Sequence, residues 1–381
     1  MNTVPELPQS YASLTPGDPA PWFSQRASNN PNYTFDTAAG RYIVLCFFGS
    51  ASDALGRAAI ERVQANRHFF DDARFSFFGV SLDPLDESEP RVRESLPGIR
   101  FFWDFDGQVS RLYGAVPVHW ATIKEPLAAR RFWIVLDPTL RVLQVVPFSA
   151  DDGHTAAVLD FLMRLPPPER FAGVELQAPI LFLPNIFEPE FCNQLISLYH
   201  SHGGEDSGFM REIDGKTLRV QDQNFKRRKD FTIKAADVIR QTQARIARRV
   251  VPEILKVHAF KVTRMERYII CCYSAEDGAH FRAHRDNTTK ATAHRRFAIS
   301  INLNDDFEGG EVSFPEYGPR RFKAPPGGAV VFPCALLHAV SRVTSGQRFA
   351  FLPFLYDDEA AKVRESNNKF LGDGVGAYKQ A

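Results

Sequence analysis

HFRAHRDN, residues 280–287, is the stretch on which the reading of this 381-residue chain turns. On an extended strand, residues two apart point to one face, so His284 and Asp286 can approach one ion together. Around this stretch, β-rich runs separated by Gly, Pro and Asp turns recur at about 264–275, 296–304, 311–315, 320–324, 328–332, 338–343 and 347–356. Short strands at that spacing favour a double-sheet barrel or roll. Upstream, 179–187 reads as a strand and turn, and about 188–200 as a helix with Phe191, Leu195, Ile196 and Leu198 apolar. Residues 230–250 read as a long amphipathic helix that opens on Asp230 as N-cap and closes on Arg248 and Arg249. Both helices are expected to buttress a sheet.

A third imidazole stands at His338, in LLHAVSR, 52 residues beyond Asp286. Two histidines and one carboxylate with open positions make the facial donor set of non-haem Fe(II) oxygenases. A structural zinc site needs a closed four-ligand set, and no closely spaced cysteine pair supplies it. Arg348 follows His338 by ten residues, inside the apolar run GQRFAFLPF. A buried guanidinium is costly without an anion. A keto diacid that binds iron at one end needs a fixed, two-pronged cationic partner at the other.

Three segments carry a family likeness: CYSAEDGAHFRAHRDN at 272–287, INLNDDFEGGEVSF at 301–314 and PPGGAVVFPCALLHAVSRVTSGQR at 325–348. In order they contain a strand tyrosine, H-x-D, a G-G-E turn, G-x-x-x-x-F, a second histidine and an arginine. Over about residues 176–356 the chain resembles the prolyl-4-hydroxylase-type 2-oxoglutarate/Fe(II) dioxygenases. The resemblance implies a double-stranded β-helix (jelly roll) with buttressing helices. It implies that His284, Asp286 and His338 ligate Fe(II), and that Arg348 binds the distal carboxylate of the cosubstrate 2-oxoglutarate. Tyr273 matches a strand tyrosine that helps hold the cosubstrate. Asn302 is the third cosubstrate-binding candidate, in a place where relatives often have tyrosine, and Phe281 replaces another frequent tyrosine. Ascorbate is a further expected cofactor. The implied reaction is hydroxylation of an unactivated C–H with release of succinate and CO2. The substrate is open between a prolyl or other residue of a protein or peptide, a free amino acid and a small metabolite. Asp286 fills the position that a halide would need vacant, which disfavours halogenation.

The first half reads differently. YIVLCFF at 42–48 is a continuous apolar run flanked by Arg41 and Gly49, the pattern of a strand buried on both faces. A helix follows at about 52–70, strands at 74–84 and 99–107, a hairpin at 131–148 around Asp137–Pro138 and a helix at 154–165. This is the order of a compact mixed α/β sheet. LTPGDPAPWF at 14–23, GRYIVLCFFGSA at 40–51, FFGVSLDP at 77–84, FFWDFDGQVSRLYGA at 101–115 and RFWIVLDPTLRV at 131–142 together resemble the peroxiredoxin branch of the thioredoxin-like fold. Peroxiredoxins place a cysteine in P-x-x-x-T-x-x-C at a helix N-terminus, where the dipole lowers its pKa. Here Ser50, Ala54 and Arg57 fill those places. Cys46 lies inside the apolar strand and reads as core, and Arg131, which resembles the arginine beside that thiolate, has none to serve. The expected domains are therefore 1–168, thioredoxin-like and non-catalytic, a linker at 169–178, the dioxygenase at 179–358 and a polar tail at 359–381. A thiol peroxidase or redox-interaction protein acting through the N-terminal domain, and a non-catalytic binding protein, are the alternatives.

Other residues carry competing readings. His280 shares the parity of His284 and reads as an alternative ligand, a pocket wall or a supporting histidine. His294 reads as structural or as a substrate contact. Gly309 and Gly310 read as a turn, and Cys334 as turn packing or a redox sensor. The basic run Lys226–Lys229 reads as a solvated loop, as a mouth selecting an acidic or polar substrate, or as a nucleic-acid contact. Composition argues against the last: 46 basic and 45 acidic residues sum to +1, which offers no general field for nucleic acid. No apolar run approaches the length of a membrane span, and the N-terminus has no basic and apolar leader pattern. Five cysteines without a C-x-x-C fit a reducing, cytoplasmic setting. A homodimer is expected from the habit of peroxiredoxin-like domains.

Overall fold

Strand Tyr42–Gly49 is buried over seven of its eight residues, as a strand covered on both faces must be. It pairs in parallel with Phe75–Ser81, which pairs in parallel with Ile99–Trp103. On its other side it runs antiparallel to Phe132–Leu136, which forms a hairpin with Val142–Pro147. A hairpin missed in the sequence, Ser24–Ala27 with Asn30–Thr34, extends the sheet past Ile99–Trp103 to seven strands. The computed structural model describes residues 10–28, 30–119, 129–151 and 153–378. The first nine residues of the stretch read for a leader lie outside the described residues. The chain divides into one unit of Met1–Leu176 with Pro315–Gly318, and a second of Gln177–Phe314 with Pro319–Ala381.

In the first unit, helices Ala54–Ala65 and Gly153–Arg164 contribute Ile60, Val63, Val158 and Leu162 to a core built on Phe77, Phe101 and Trp133. Cys46 sits in that core with no exposure, and burial pushes its thiol pKa well up. The start of helix Ala54–Ala65 is capped by Asp53, whose Oδ1 accepts from the amides of Leu55 and Gly56. The same oxygen accepts from Arg131 Nη1 at 2.6 Å. A carboxylate, not a thiolate, is therefore the partner of that arginine.

The second unit departs from the sequence-based expectation in its closure. It holds a ten-stranded and a five-stranded sheet, and these are not closed into a barrel, so the double-stranded β-helix (jelly roll) expectation is overturned. The strands expected between 264 and 356 are there, but the sheets end in pieces of two or three residues, such as Glu205–Asp206, Arg264–Glu266 and Arg321–Phe322. Turn spacing specifies how many strands form. Whether their edges meet depends on long-range pairing that the local pattern does not carry. The larger sheet contains, in order, Phe354–Tyr356, Phe297–Asn302, Val343–Phe351, Ile269–Ser274 and Lys229–Thr232. The smaller contains Lys226–Arg227, His280–His284, His338–Val340 and Val312–Ser313. Helices Pro189–His202 and Ala236–Arg249 bury Phe191, Leu195, Val238 and Ile246 in one core with Ile299, Val331 and Phe351.

The region 226–235 corrects two further expectations. Asp230 is not a helix N-cap: it lies in strand Lys229–Thr232, and the helix starts at Ala236. Nor is the basic run a solvated loop, because Lys226 and Arg228 are buried. Period-2 alternation turns Lys226, Arg228 and Asp230 to the inside together.

Candidate metal and cosubstrate site

Antiparallel pairing sets His284 directly opposite His338 across strands His280–His284 and His338–Val340. The ring centroids lie 4.2 Å apart. Asp286 leaves the strand end and is tied back by its amide, which donates to the Cys334 carbonyl at 2.9 Å. Its Oδ1 is 3.6 Å from His284 Nε2 and its Oδ2 is 3.3 Å from His338 Nε2. One donor atom from each of the three residues falls within 4.8 Å of the others.

The outer nitrogens decide which atoms face the centre. His284 Nδ1 donates to the Arg282 carbonyl at 2.7 Å, and His338 Nδ1 to the Leu336 carbonyl at 3.0 Å. Each ring then holds its Nε2 lone pair inward, the tautomer that a ligating imidazole requires. Burial pushes the His338 imidazole down to about 4, which keeps it neutral. Two imidazole nitrogens and one carboxylate oxygen on one face fit a divalent iron with positions left for other ligands. His280 does not join them: its two ring nitrogens face the carbonyls of Gly278 and Asn224 at 3.0 and 3.1 Å.

The triad opens on a cavity enclosing about 470 Å³ of non-atom space, part of it open to solvent, between the two sheets. Arg348 lines the same cavity from the larger sheet, 2% exposed. Its Nε donates to Asn302 Oδ1 at 2.9 Å and its Nη2 to Ser300 Oγ at 2.7 Å. Its Nη1 is buried and, among the described residues, has no hydrogen-bond partner. A buried donor in that state costs free energy until an acceptor arrives. Asn302 itself is anchored by donating from Nδ2 to the Ala324 carbonyl at 2.7 Å, so it holds the guanidinium from behind. Tyr273 is the cross-strand partner of Arg348, and its ring lies 5.3 Å from the guanidinium carbon. Gly310 makes room for this arrangement. A Cβ there would sit 3.0 Å from Arg348 Cδ, and its φ of +69° favours glycine.

Sequence reasoning missed two arginines in the wall, Arg228 and Arg267. Arg228 pairs with Asp230, Nε to Oδ1 at 2.7 Å, and donates from Nη1 to the Tyr273 hydroxyl at 3.1 Å. The alternation of Lys226, Arg228 and Asp230 was the available signal, since a charged face repeating every second residue is a strand pattern. His294 lies in a separate buried network, with Nε2 3.0 Å from Glu266, which also pairs with Arg295 and Arg364. That favours its structural reading. No observation on the chain speaks for ascorbate. Among the described residues, no helix is long and apolar enough to cross a membrane.

Comparison with known proteins bears on both units. Residues 267–356 match the 2OG-Fe(II) oxygenase superfamily, and residues 16–143 match the AhpC/TSA family. A PKHD-type hydroxylase of Gluconobacter oxydans is 32% identical over 84 residues, 20% of this chain and 37% of that protein. One from Polaromonas sp. is 51% identical over 53 residues, 14% of this chain and 23% of its own length. The chain thus spans little more than a third, or less, of these relatives. A prolyl-4-hydroxylase of Pseudomonas putida is similar over 53% of this chain and 98% of its own, at 14% identity and a TM-score of 0.37. The peroxidoxin BcpB of Mycobacterium tuberculosis is similar over 40% and 99%, at 20% identity and a TM-score of 0.34. With the matched segments and the converging donors together, the chain joins an N-terminal segment similar to the AhpC/TSA family to a C-terminal segment similar to the 2OG-Fe(II) oxygenase superfamily, the latter carrying a His/Asp/His set of metal donors.

Proposed function

We propose that the chain is a 2-oxoglutarate- and Fe(II)-dependent dioxygenase that hydroxylates an unactivated C–H. The observation that carries this is the orphaned Arg348 Nη1 in the same cavity as three converging metal donors. Fe(II) held by His284, Asp286 and His338 supplies, with 2-oxoglutarate and O2, the oxidising chemistry that ends in succinate, CO2 and a hydroxylated product. The residues of the chain do the rest. Arg348 takes the distal carboxylate, and Asn302 and Ser300 fix the angle of its guanidinium. Tyr273 receives a hydrogen bond from Arg228, which leaves its own hydroxyl proton to point at that carboxylate. Phe281, Phe332, Val312 and Val340 line the cavity and exclude water, which strengthens each charged contact.

The catalytic domain is taken as 179–358 and the segment 1–168 as non-catalytic. Supporting this, Asp53 occupies the helix start and Cys46 is buried in the core. Five free, buried cysteines fit a cytoplasmic setting. A homodimer and the absence of a nucleic-acid partner rest on the sequence alone. Similarity to PKHD-type hydroxylases supports hydroxylation as the reaction, of a prolyl or other amino-acid residue or of a small metabolite. The test is succinate formation from 2-oxoglutarate with Fe(II) and O2, with and without candidate substrates, and a product heavier by one oxygen. Turnover that survives Asp286→Ala would overturn the reading.

A further inference from the structure

Three guanidiniums line the cavity, and each has a different standing. Arg228 is committed to Asp230, with Nε 2.7 Å from Oδ1 and Nη2 donating to Oδ2 at 2.8 Å. Among the described residues Arg348 has no carboxylate within ion-pair distance, and in the reading above it takes the cosubstrate's distal group. Arg267 is the third. Its Nη2 reaches Asp230 Oδ2 at 3.3 Å, an oxygen already taken by Arg228. Among the described residues it makes no other hydrogen bond or ion pair. Its backbone sits at φ +69°, a left-handed conformation that non-glycine residues avoid, and such strain persists where the surroundings enforce it. The guanidinium lies 5.5 Å from the ring centre of Phe354, another cavity residue.

Charge balance gives Arg267 a purpose. In that reading Asp286 and the chelating carboxylate of the cosubstrate offset the divalent ion, its distal carboxylate answers Arg348, and Asp230 answers Arg228. One positive charge is left over in a partly dry cavity. Lys226, packed 4.9 Å from the Phe281 ring with Nζ donating to Ser207 Oγ and the Gly208 carbonyl, adds no negative charge. Excess positive charge in such a place calls for an anion.

We infer that Arg267 anchors an anionic group of the substrate, so that the substrate is a small molecule bearing a free carboxylate rather than a neutral internal residue of a protein. This rests on the dioxygenase reading above. The probes are short straight-chain carboxylic acids and N-acetyl amino acids, each beside its primary amide. Their binding is measured by calorimetry to full-length protein loaded with Mn(II) and 2-oxoglutarate without O2. A charge-assisted pair predicts that the best acids bind about tenfold or more tighter than their amides. Arg267→Gln should collapse the gap to about twofold, and Arg267→Lys should retain part of it, as a point charge without the fork does. Three results overturn the assignment: no acid preference in wild type that binds 2-oxoglutarate, an acid preference that survives Arg267→Gln, or loss of 2-oxoglutarate binding in that variant. Wild type that binds neither Mn(II) nor 2-oxoglutarate sinks the dioxygenase reading instead.

Discussion

Arg348→Met separates a cosubstrate anchor from a structural strut. Methionine keeps the length and flexibility of the side chain and removes the charge. In the cosubstrate complex, the guanidinium would make a two-pronged, desolvated pair with the distal carboxylate. Hydrogen bonds to charged groups contribute roughly 1.5–3 kcal/mol each, so losing the pair costs about 3–4 kcal/mol. At about 1.4 kcal/mol per decade, the Kd for 2-oxoglutarate should rise roughly 100- to 1000-fold. Stability should behave otherwise. The variant removes a buried cation whose Nη1 has no partner, a relief of about 1–3 kcal/mol. It also strips Asn302 Oδ1 of the donor it has in the native protein, a cost of similar size. The two offset to within about 1 kcal/mol, which is only a few degrees in Tm for a domain of this size. Calorimetric titration of 2-oxoglutarate into Mn(II)-loaded protein reads the first effect, and thermal unfolding without cosubstrate reads the second. A Kd within about threefold of wild type refutes the anchoring role. So does a Tm loss beyond about 10 °C, which would make Arg348 a strut of the fold.

Other consequences can be checked in the same preparations. His284→Ala and Asp286→Ala should abolish tight Fe(II) or Mn(II) binding, measured by metal content after desalting, whereas His280→Ala should retain it because both its nitrogens already face carbonyls. Gly310→Ala should weaken 2-oxoglutarate binding by about tenfold and destabilise the fold by about 1–2 kcal/mol, since its Cβ would crowd Arg348 Cδ at positive φ. Cys46→Ala and Arg57→Ala should leave succinate formation nearly intact and peroxide consumption at background, because burial pushes the Cys46 thiol far from ionisation. Buried Asp104 gives a pH signature. Burial pushes its carboxyl up to about 6 against the opposing hydrogen bonds from Ser110 and Val109. The unfolded group ionises near its ordinary value while the folded one stays protonated. Its contribution is therefore whole below about pH 4 and is lost as pH rises to about 6, by up to about 3 kcal/mol. Denaturant unfolding of wild type and Asp104→Asn at several pH values should show their difference change across that window and stay flat above it.

The metal donors were legible because their signal is local chemistry. His284 and Asp286 share a strand face by period 2 alone, and the distance to His338 and Arg348 followed a recognisable order. The N-terminal strands were legible because a strand buried on both faces, like Tyr42–Gly49, must be apolar throughout. Helix 230–250 was misjudged at its start because Asp230 suits an N-cap as well as an inward strand position, and only its pairing with Arg228 decides between them.

What the residues determined unaided was therefore the set of converging donors, the α/β character of the N-terminal domain and the absence of a thiol at its helix start. The fold alone decided that the C-terminal sheets stay open, that Arg348 keeps one donor unpaired, and that Arg228 and Arg267 turn inward beside the triad. The physical reason is range. Side-chain chemistry and strand parity act between near neighbours, whereas edge pairing and the burial of a charge are settled by groups brought together from distant parts of the chain.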